Sequence, residues 1–455
     1  MFVPRIAGQK QSNRRVFLRQ ATLGLGTATS LLRVPAVFGQ TASRQNRPSQ
    51  PPPGEIKSIR ELLKRATYRR EEIDRYLDST IPNKWAKFDP ELGYTLSDCV
   101  AQDGIDNSFT IGSYEKDGQR RMVNYADRPC RINAYGNSFT MCHQVSDGET
   151  WEEYLAAHLG EPIRNFGVGG YGVYQAYRRM LRHESSEDGV PYVILNVFGI
   201  DDHYRSIDAW RHLRIMDWFR RPGRENMFHN NPWVHVRFDP HTGGMVEMPN
   251  DFPTPQSLYK LCDEEFVYEH YKDDIVLKMY MATHYGVDVE AKPLQALAEA
   301  MRLSLDFNSP AARFESIKAL YHHCALQSTI EIIKKTRSFA AQHDKQLMVL
   351  LSYATGHIIE ACRGMPRPDQ PLVDFLKAEN VRSVDALAKH MEDYRSFKLD
   401  PATYVRRYYN GHYSPAGNHF FAFAIKNEIV DWLEPKPFTY AKKGQAMDFE
   451  GYLQK

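Results

Sequence analysis

Arg131-Ile132-Asn133-Ala134-Tyr135-Gly136-Asn137-Ser138-Phe139-Thr140 is the stretch whose reading decides the fold. Ile132 to Tyr135 forms a short apolar run, Gly136 ends it, and a small polar pair leads to Ser138. An amphipathic segment begins about a dozen residues later, near Trp151. A buried parallel strand delivers a serine to the carboxyl edge of a sheet in this way, and α/β folds build their sites at that edge. Taken alone, Gly-x-Ser-x-Thr has a plainer reading, because serines after strands commonly serve as turn residues or helix caps. The choice rests on other stretches that match in order.

Working outward, strands are expected over residues 130–135, 163–166, 192–198, 347–352 and 381–385. Helices are expected over 150–159, 173–183, 316–342, 372–378 and 417–433. The run from Tyr192 to Phe198 is nearly continuous in apolar residues, as strands of parallel sheets are when both faces are covered. Strand–helix alternation of this kind predicts a parallel central sheet with helices on both faces, a three-layer α/β/α fold. After Asp202 the alternation breaks for more than a hundred residues. That insertion carries a hairpin pattern (234–238 and 245–248 around Gly243-Gly244) and helical patterns over 258–280 and 293–305.

The 455-residue chain is 42% hydrophobic and 12% aromatic, which permits a sizeable core. Its net charge of +2, without a long basic block after the leader, points away from nucleic acid or an anionic membrane surface as partner. Ser12-Asn13-Arg14-Arg15-Val16-Phe17-Leu18 is a twin-arginine sequence followed by an apolar run from Ala21 to Leu32. The run is too short and too rich in Gly and Thr to span a bilayer stably. Residues 1–39 therefore read as a twin-arginine signal peptide, implying the twin-arginine export machinery as partner and a periplasmic or extracellular location. Residues 40–55 form a proline-rich linker. Residues 56–127 read as an accessory section with a charged helix over 56–77 and a hairpin of 109–114 with 121–125 around Lys116-Asp117-Gly118. Six cysteines with irregular spacing and no CxxC pair leave disulfides open and give no zinc motif. None precedes Cys99, which excludes lipid attachment at a leader cysteine.

Four blocks fall at the ends of successive sheet elements: Gly136-Asn137-Ser138-Phe139-Thr140, Asn165-Phe166-Gly167-Val168-Gly169-Gly170-Tyr171-Gly172, Gly199-Ile200-Asp201-Asp202, and Asn410-Gly411-His412-Tyr413-Ser414-Pro415. In order and context they resemble the SGNH/GDSL hydrolase superfamily, whose blocks carry a serine, a glycine, an asparagine and a histidine. The resemblance implies an SGNH-hydrolase or flavodoxin-like α/β domain over 128–206 and 313–435. It leaves 207–312 as an insertion between the third and fourth strands and 436–455 as a C-terminal tail.

A serine hydroxyl needs a base within about 2.6–3.2 Å to become a nucleophile. Ser138 is the candidate nucleophile and His412 the candidate base, against a plain reading of His412 as a surface or capping histidine. By the resemblance, the Ser138 and Gly170 backbone N–H groups would hold the oxyanion, where each donor is typically worth about 2.7–4 kcal/mol. The glycine-rich block also reads as a tight turn or a phosphate cradle, but it lacks the Lys and the acidic partner a nucleotide site wants.

Three positions depart from the superfamily. Asn137 replaces the usual Asp before the nucleophile. Asp201 stands where an asparagine completes the oxyanion hole, and an ionised carboxylate donates nothing there. Asn410 stands near the place of the acid that orients the histidine, a change that in a serine protease costs about 10⁴ in turnover; Asp400 or Asp202 are alternatives for that acid. His203, Arg205, Arg211 and Arg214 read as a solvated basic face or as the mouth of the cleft. Trp210, Trp218, Phe219, Trp233 and Tyr259 read as the core of an added layer or as sugar-stacking surfaces.

The expectation is an exported serine ester hydrolase acting through an acyl-serine on a small-molecule or glycan ester, with O-acetyl groups of carbohydrate favoured by the resemblance. No metal or organic cofactor is implied. The alternatives are a catalytically impaired glycan-binding protein on the same scaffold and an O-acyltransferase.

Overall fold

The computed structural model describes residues 56–208, 216–229 and 232–440. The signal-peptide reading, the linker, most of the C-terminal tail, and Trp210, Arg211 and Arg214 lie outside the described residues.

The chain enters through α1 (Ile59–Ala66) and α2 (Arg70–Leu77), two helices where the periodicity predicts one. The break falls at Thr67-Tyr68-Arg69, where Tyr68 is buried and its N–H bonds the Leu261 carbonyl, a tertiary contact that overrides the local helix preference. Two ribbons follow, β1 (Ala86–Asp89) with β2 (Gly93–Leu96), and β3 (Cys99–Gln102) with β4 (Phe109–Gly112). This corrects the expected hairpin. The strand at 109–112 pairs backward with β3, whereas 121–125 is not a strand and the Lys116–Gly118 turn closes only a single bridge between Tyr114 and Arg120. Arg120 is drawn inward instead, where its buried guanidinium bonds Asp147 and the carbonyls of Cys142 and Val145.

The sheet begins with β5 (Ile132–Tyr135), followed by the short α3 (Ser138–Met141) and α4 (Trp151–Leu159). Then come β6 (Arg164–Asn165), α5 (Val173–Glu184), β7 (Tyr192–Phe198) and α6 (Asp201–Ile207). The insertion holds α7 (Met216–Phe219), the antiparallel ribbon β8 (His235–Phe238) with β9 (Met245–Met248), α8 (Glu264–Tyr271), α9 (Ile275–Tyr285) and α10 (Ala291–Ala300). The stretch expected as one helix over 258–280 is divided, because Asp263 and Asp274 each accept backbone N–H groups and restart the helix. The long α11 (Pro310–Gln342) leads back to β10 (Gln346–Ser352), α12 (Thr355–Cys362), α13 (Gln370–Ala378), β11 (Ser383–Asp385), α14 (Ala386–Tyr394) and α15 (Pro401–Arg406). A two-residue ribbon, β12 (Tyr409–Asn410) with β13 (His412–Tyr413), precedes the closing α16 (Pro415–Trp432).

The five strands of the central sheet run in the order β11-β10-β7-β5-β6, all parallel. Every residue of β7 is buried, as its unbroken apolar run demands. One set of helices (α5, α6, α11, α13) packs together, and α4, α14 and α16 form a second set. The result is a mixed α/β fold with a helix-flanked parallel sheet, as expected. Counted within the sheet, the strand order is 2-1-3-4-5, the flavodoxin-like winding, which reverses direction between β5 and β7. Chains leaving the carboxyl ends of these two strands diverge and open a crevice there. Ser138 follows β5 and Asp201 follows β7, so the first and third sequence blocks flank that crevice.

No helix among the described residues is long and apolar enough to cross a membrane. All six cysteines are free thiols.

Candidate active site

The turn after β5 is shaped by size. A Cβ on Gly136 would stand 2.1 Å from Thr140 Oγ1 and 2.7 Å from the Asn196 carbonyl, so only glycine lets the chain fold back there. Asn137 then caps α3, its Oδ1 accepting the Phe139 N–H at 2.8 Å. Its Nδ2 donates to Asp202 Oδ1, also at 2.8 Å. Asp202 is buried and accepts the Phe198 N–H (3.0 Å) and Arg205 Nη1 (3.0 Å), so the nucleophile's turn is tied to the end of β7 through one carboxylate. Burial raises the Asp202 pKa to about 7, partly offset by Arg205. Asn137 therefore does structural work that needs a donor, which an ionised Asp at this position would lack.

Ser138 is the first residue of α3, where a helix leaves its N–H groups without internal acceptors. Its Oγ lies 2.9 Å from His412 Nε2, across 274 positions of sequence. His412 is carried on β13, and the loop before it needs Gly411 at φ +83°, where a Cβ would stand 2.6 Å from Gln144 Oε1.

Asn410 does not orient the histidine. Its Nδ2 donates to the Asp103 carbonyl at 3.2 Å, and the group on the ring is Gln144. Gln144 Oε1 accepts the His412 backbone N–H at 2.9 Å and faces His412 Nδ1 at 2.9 Å, while its Nε2 donates to the Asp103 carbonyl at 3.0 Å. These contacts settle which end of the amide is oxygen. An oxygen at Nδ1 requires the ring proton on Nδ1, which leaves Nε2 with the lone pair that Ser138 O–H needs. Burial, and next the nearby His143, hold the His412 imidazolium well below the usual histidine range, so the ring is neutral.

A second histidine, paired with a carboxylate, stands behind this arrangement. His143 Nε2 meets Asp103 Oδ2 at 3.1 Å, Thr110 Oγ1 donates to Asp103 Oδ1 at 2.6 Å, and the His143 and His412 rings are 5.0 Å apart. Against the upward push of burial, the bond from His143 lowers the Asp103 pKa. Cys142 (φ +58°) and Gln144 (φ +72°) both hold left-handed backbone, a strain that turns His143 and Gln144 back toward His412. The section expected as an accessory layer thus reaches the centre of the site through Asp103.

Gly170 lies in the turn after β6 with φ +87°, a conformation that favours glycine. That turn is joined to the nucleophile's turn by the Val168 N–H donating to the Gly136 carbonyl at 3.0 Å. Asp201 begins α6 with its carboxylate half exposed and 3.8 Å from Arg205, while the inward member of the pair is Asp202. Asp400 caps α15 through the Thr403 N–H, and neither it nor Asp202 touches the histidine ring. His203 is buried on Thr329 Oγ1 and does not line the cleft mouth. Phe219 and Trp233 are core residues of the insertion, and Tyr259 stands over the Arg70 guanidinium. Sequence reasoning missed Gln144, His143 and Asp103; the only signal was that His143-Gln144 comes one residue after the serine's short helix.

No family model and no curated protein matches the sequence. Among solved structures, the fold is similar to a member of the lipolytic protein G-D-S-L family from Veillonella parvula. The identity is 12%, the TM-score is 0.29, and the match covers 67% of this chain and all of that one. A likeness this distant carries no argument about the chemistry, which rests on the site itself.

Proposed function

We propose that this chain is a serine ester hydrolase of the SGNH/GDSL type. The observation that carries the reading is the contact of 2.9 Å between Ser138 Oγ and a His412 Nε2 whose other nitrogen is fixed by Gln144. Ser138 attacks the ester carbonyl as His412 takes its proton. The tetrahedral oxyanion is held by the Ser138 amide at the start of α3 and the Gly170 amide on the facing turn. His412 then returns the proton to the leaving alcohol, and water repeats the sequence on the acyl-serine. Gln144 orients the imidazolium without neutralising it, and Asp103 supplies negative charge one residue behind.

By the twin-arginine leader, the enzyme acts outside the cytoplasm, in the periplasm or beyond the cell. An O-acyl group on a carbohydrate is the substrate class we assign, with O-acetyl first. Turnover of p-nitrophenyl acetate by the purified protein, abolished in Ser138→Ala, tests the reading; equal rates in both proteins would remove it. The neutral Gln144 and the carboxylate at Asp201 favour a second reading, a glycan-binding protein with an impaired site. That reading requires no serine-dependent turnover together with retained binding of acetylated glycan.

A further inference from the structure

At the far end of α5 from the site, His183 lies with only 6% of its surface exposed, packed at a tilt against Phe166 at 4.2 Å between ring centroids. A buried imidazole ordinarily finds a hydrogen-bond partner. His183 makes no side-chain hydrogen bond among the described residues: the carboxylates facing its Nδ1 are Asp117 Oδ2 at 3.8 Å and Asp188 Oδ2 at 4.0 Å. Both distances are too long for a hydrogen bond. Asp117 uses its other oxygen on the Gln119 N–H, and neither carboxylate forms an ion pair with a lysine or arginine among the described residues.

The nearby arginines bond neither carboxylate group, although Arg179 keeps its buried Nε and Nη1 without a hydrogen-bond partner. Arg182 is held by Asp89 and Glu91, Arg164 donates to the Asp188 carbonyl, and Arg179 donates to the Asp117 carbonyl. Two carboxylate oxygens converge on one imidazole nitrogen, with a gap between them that a hydrogen bond does not span.

The geometry points to a divalent cation site formed by His183, Asp117 and Asp188. The three ligand atoms lie within 4.8 Å of one another. Atoms bound about 2.1 Å from a common ion stand roughly 3–4 Å apart, close to the 3.8 and 4.0 Å seen at the histidine. One imidazole with two carboxylates suits a borderline transition metal, zinc before calcium or magnesium, with solvent completing the shell. The ion would join three pieces of chain: the turn at 115–119 in the N-terminal section, the end of α5, and the loop before β7. Its role is a staple that holds the N-terminal section, and with it Asp103, against the sheet.

The test uses the purified full-length protein, stripped with chelator and titrated with zinc chloride alone. One saturable zinc per chain is expected, with a rise of about 3 °C in the thermal midpoint at a hundredfold excess over Kd. Asp188→Asn, at a half-exposed position that leaves the core untouched, and His183→Gln should each lose both the uptake and the shift. Absence of saturable binding in the parent protein, or binding retained by either variant, overturns the site.

Discussion

Gln144 is the residue on which the proposed mechanism is most exposed to test. Replacing it by alanine removes the acceptor 2.9 Å from His412 Nδ1 and the acceptor of the His412 backbone N–H together. The ring then has nothing to keep its proton on Nδ1, and the tautomer that cannot accept from Ser138 becomes populated. The hydrogen bond at stake strengthens as the ring gains charge in the transition state, and bonds to charged groups are worth about 1.5–3 kcal/mol. Gln144→Ala should therefore lower kcat by about 10- to 150-fold while KM changes little. Steady-state kinetics on p-nitrophenyl acetate measure this, with the thermal midpoint as a check that the protein is folded. A folded Gln144→Ala enzyme with kcat within twofold of the parent would refute the role. Gln144→Glu runs the other way on one axis. A charge-assisted bond is roughly twice as strong as a neutral one, adding about 1 kcal/mol in favour of the imidazolium and raising the His412 pKa. The base is then protonated at higher pH, so the acid limb of the pH–rate profile moves up by about 0.7 pH unit; a limb that stays or moves down contradicts the assignment.

Other outcomes follow from the same geometry. In the parent enzyme, the lowered His412 pKa keeps the base neutral, so kcat/KM should hold its plateau below pH 6.5; an acid limb centred at or above 6.5 would show a differently placed base. Asp202→Ala leaves Asn137 Nδ2, the Phe198 N–H and Arg205 without their buried acceptor and should cost about 3–5 kcal/mol, a drop of about 4–6 °C in thermal midpoint; a loss under 1 °C contradicts the link. The raised Asp202 pKa also has a pH signature. Its stabilising contribution is fully present below the ordinary carboxylate pKa of about 4 and is lost as pH rises toward about 7. Denaturant unfolding of parent and Asp202→Asn should therefore show the parent losing more stability across that window. Gly136→Ala drives a methyl into Thr140 Oγ1 and the Asn196 carbonyl and should abolish serine-dependent turnover; an active variant would mean the turn has room not seen here.

The sheet was legible because its strands are short apolar runs closed by glycine or a polar turn, and a run such as Tyr192–Phe198 leaves no face for solvent. Ser138 and His412 were legible because both sit at strand ends before capped helices, a local pattern that needs no knowledge of the third dimension. The group holding the histidine was not. The place an orienting acid would take near Asn410 is filled by an amide from a left-handed turn nearly 270 positions earlier. Its own anchor, the Asp103 carbonyl, is a backbone atom, and any residue there would supply one. The misread segments share one cause. The break at Tyr68, the pairing of 109–112 with β3 and the division at Asp263 and Asp274 are each set by a partner distant in sequence or by a cap inside a periodic run.

The central claim is that the Ser138 hydroxyl is activated by His412, and an active-site serine label tests it most directly. The protein treated with a fluorophosphonate and digested for peptide mass mapping should carry one adduct, on Ser138, and His412→Ala should lose it while remaining folded. An adduct on another serine, no adduct at all, or labelling of Ser138 that survives His412→Ala would contradict the account.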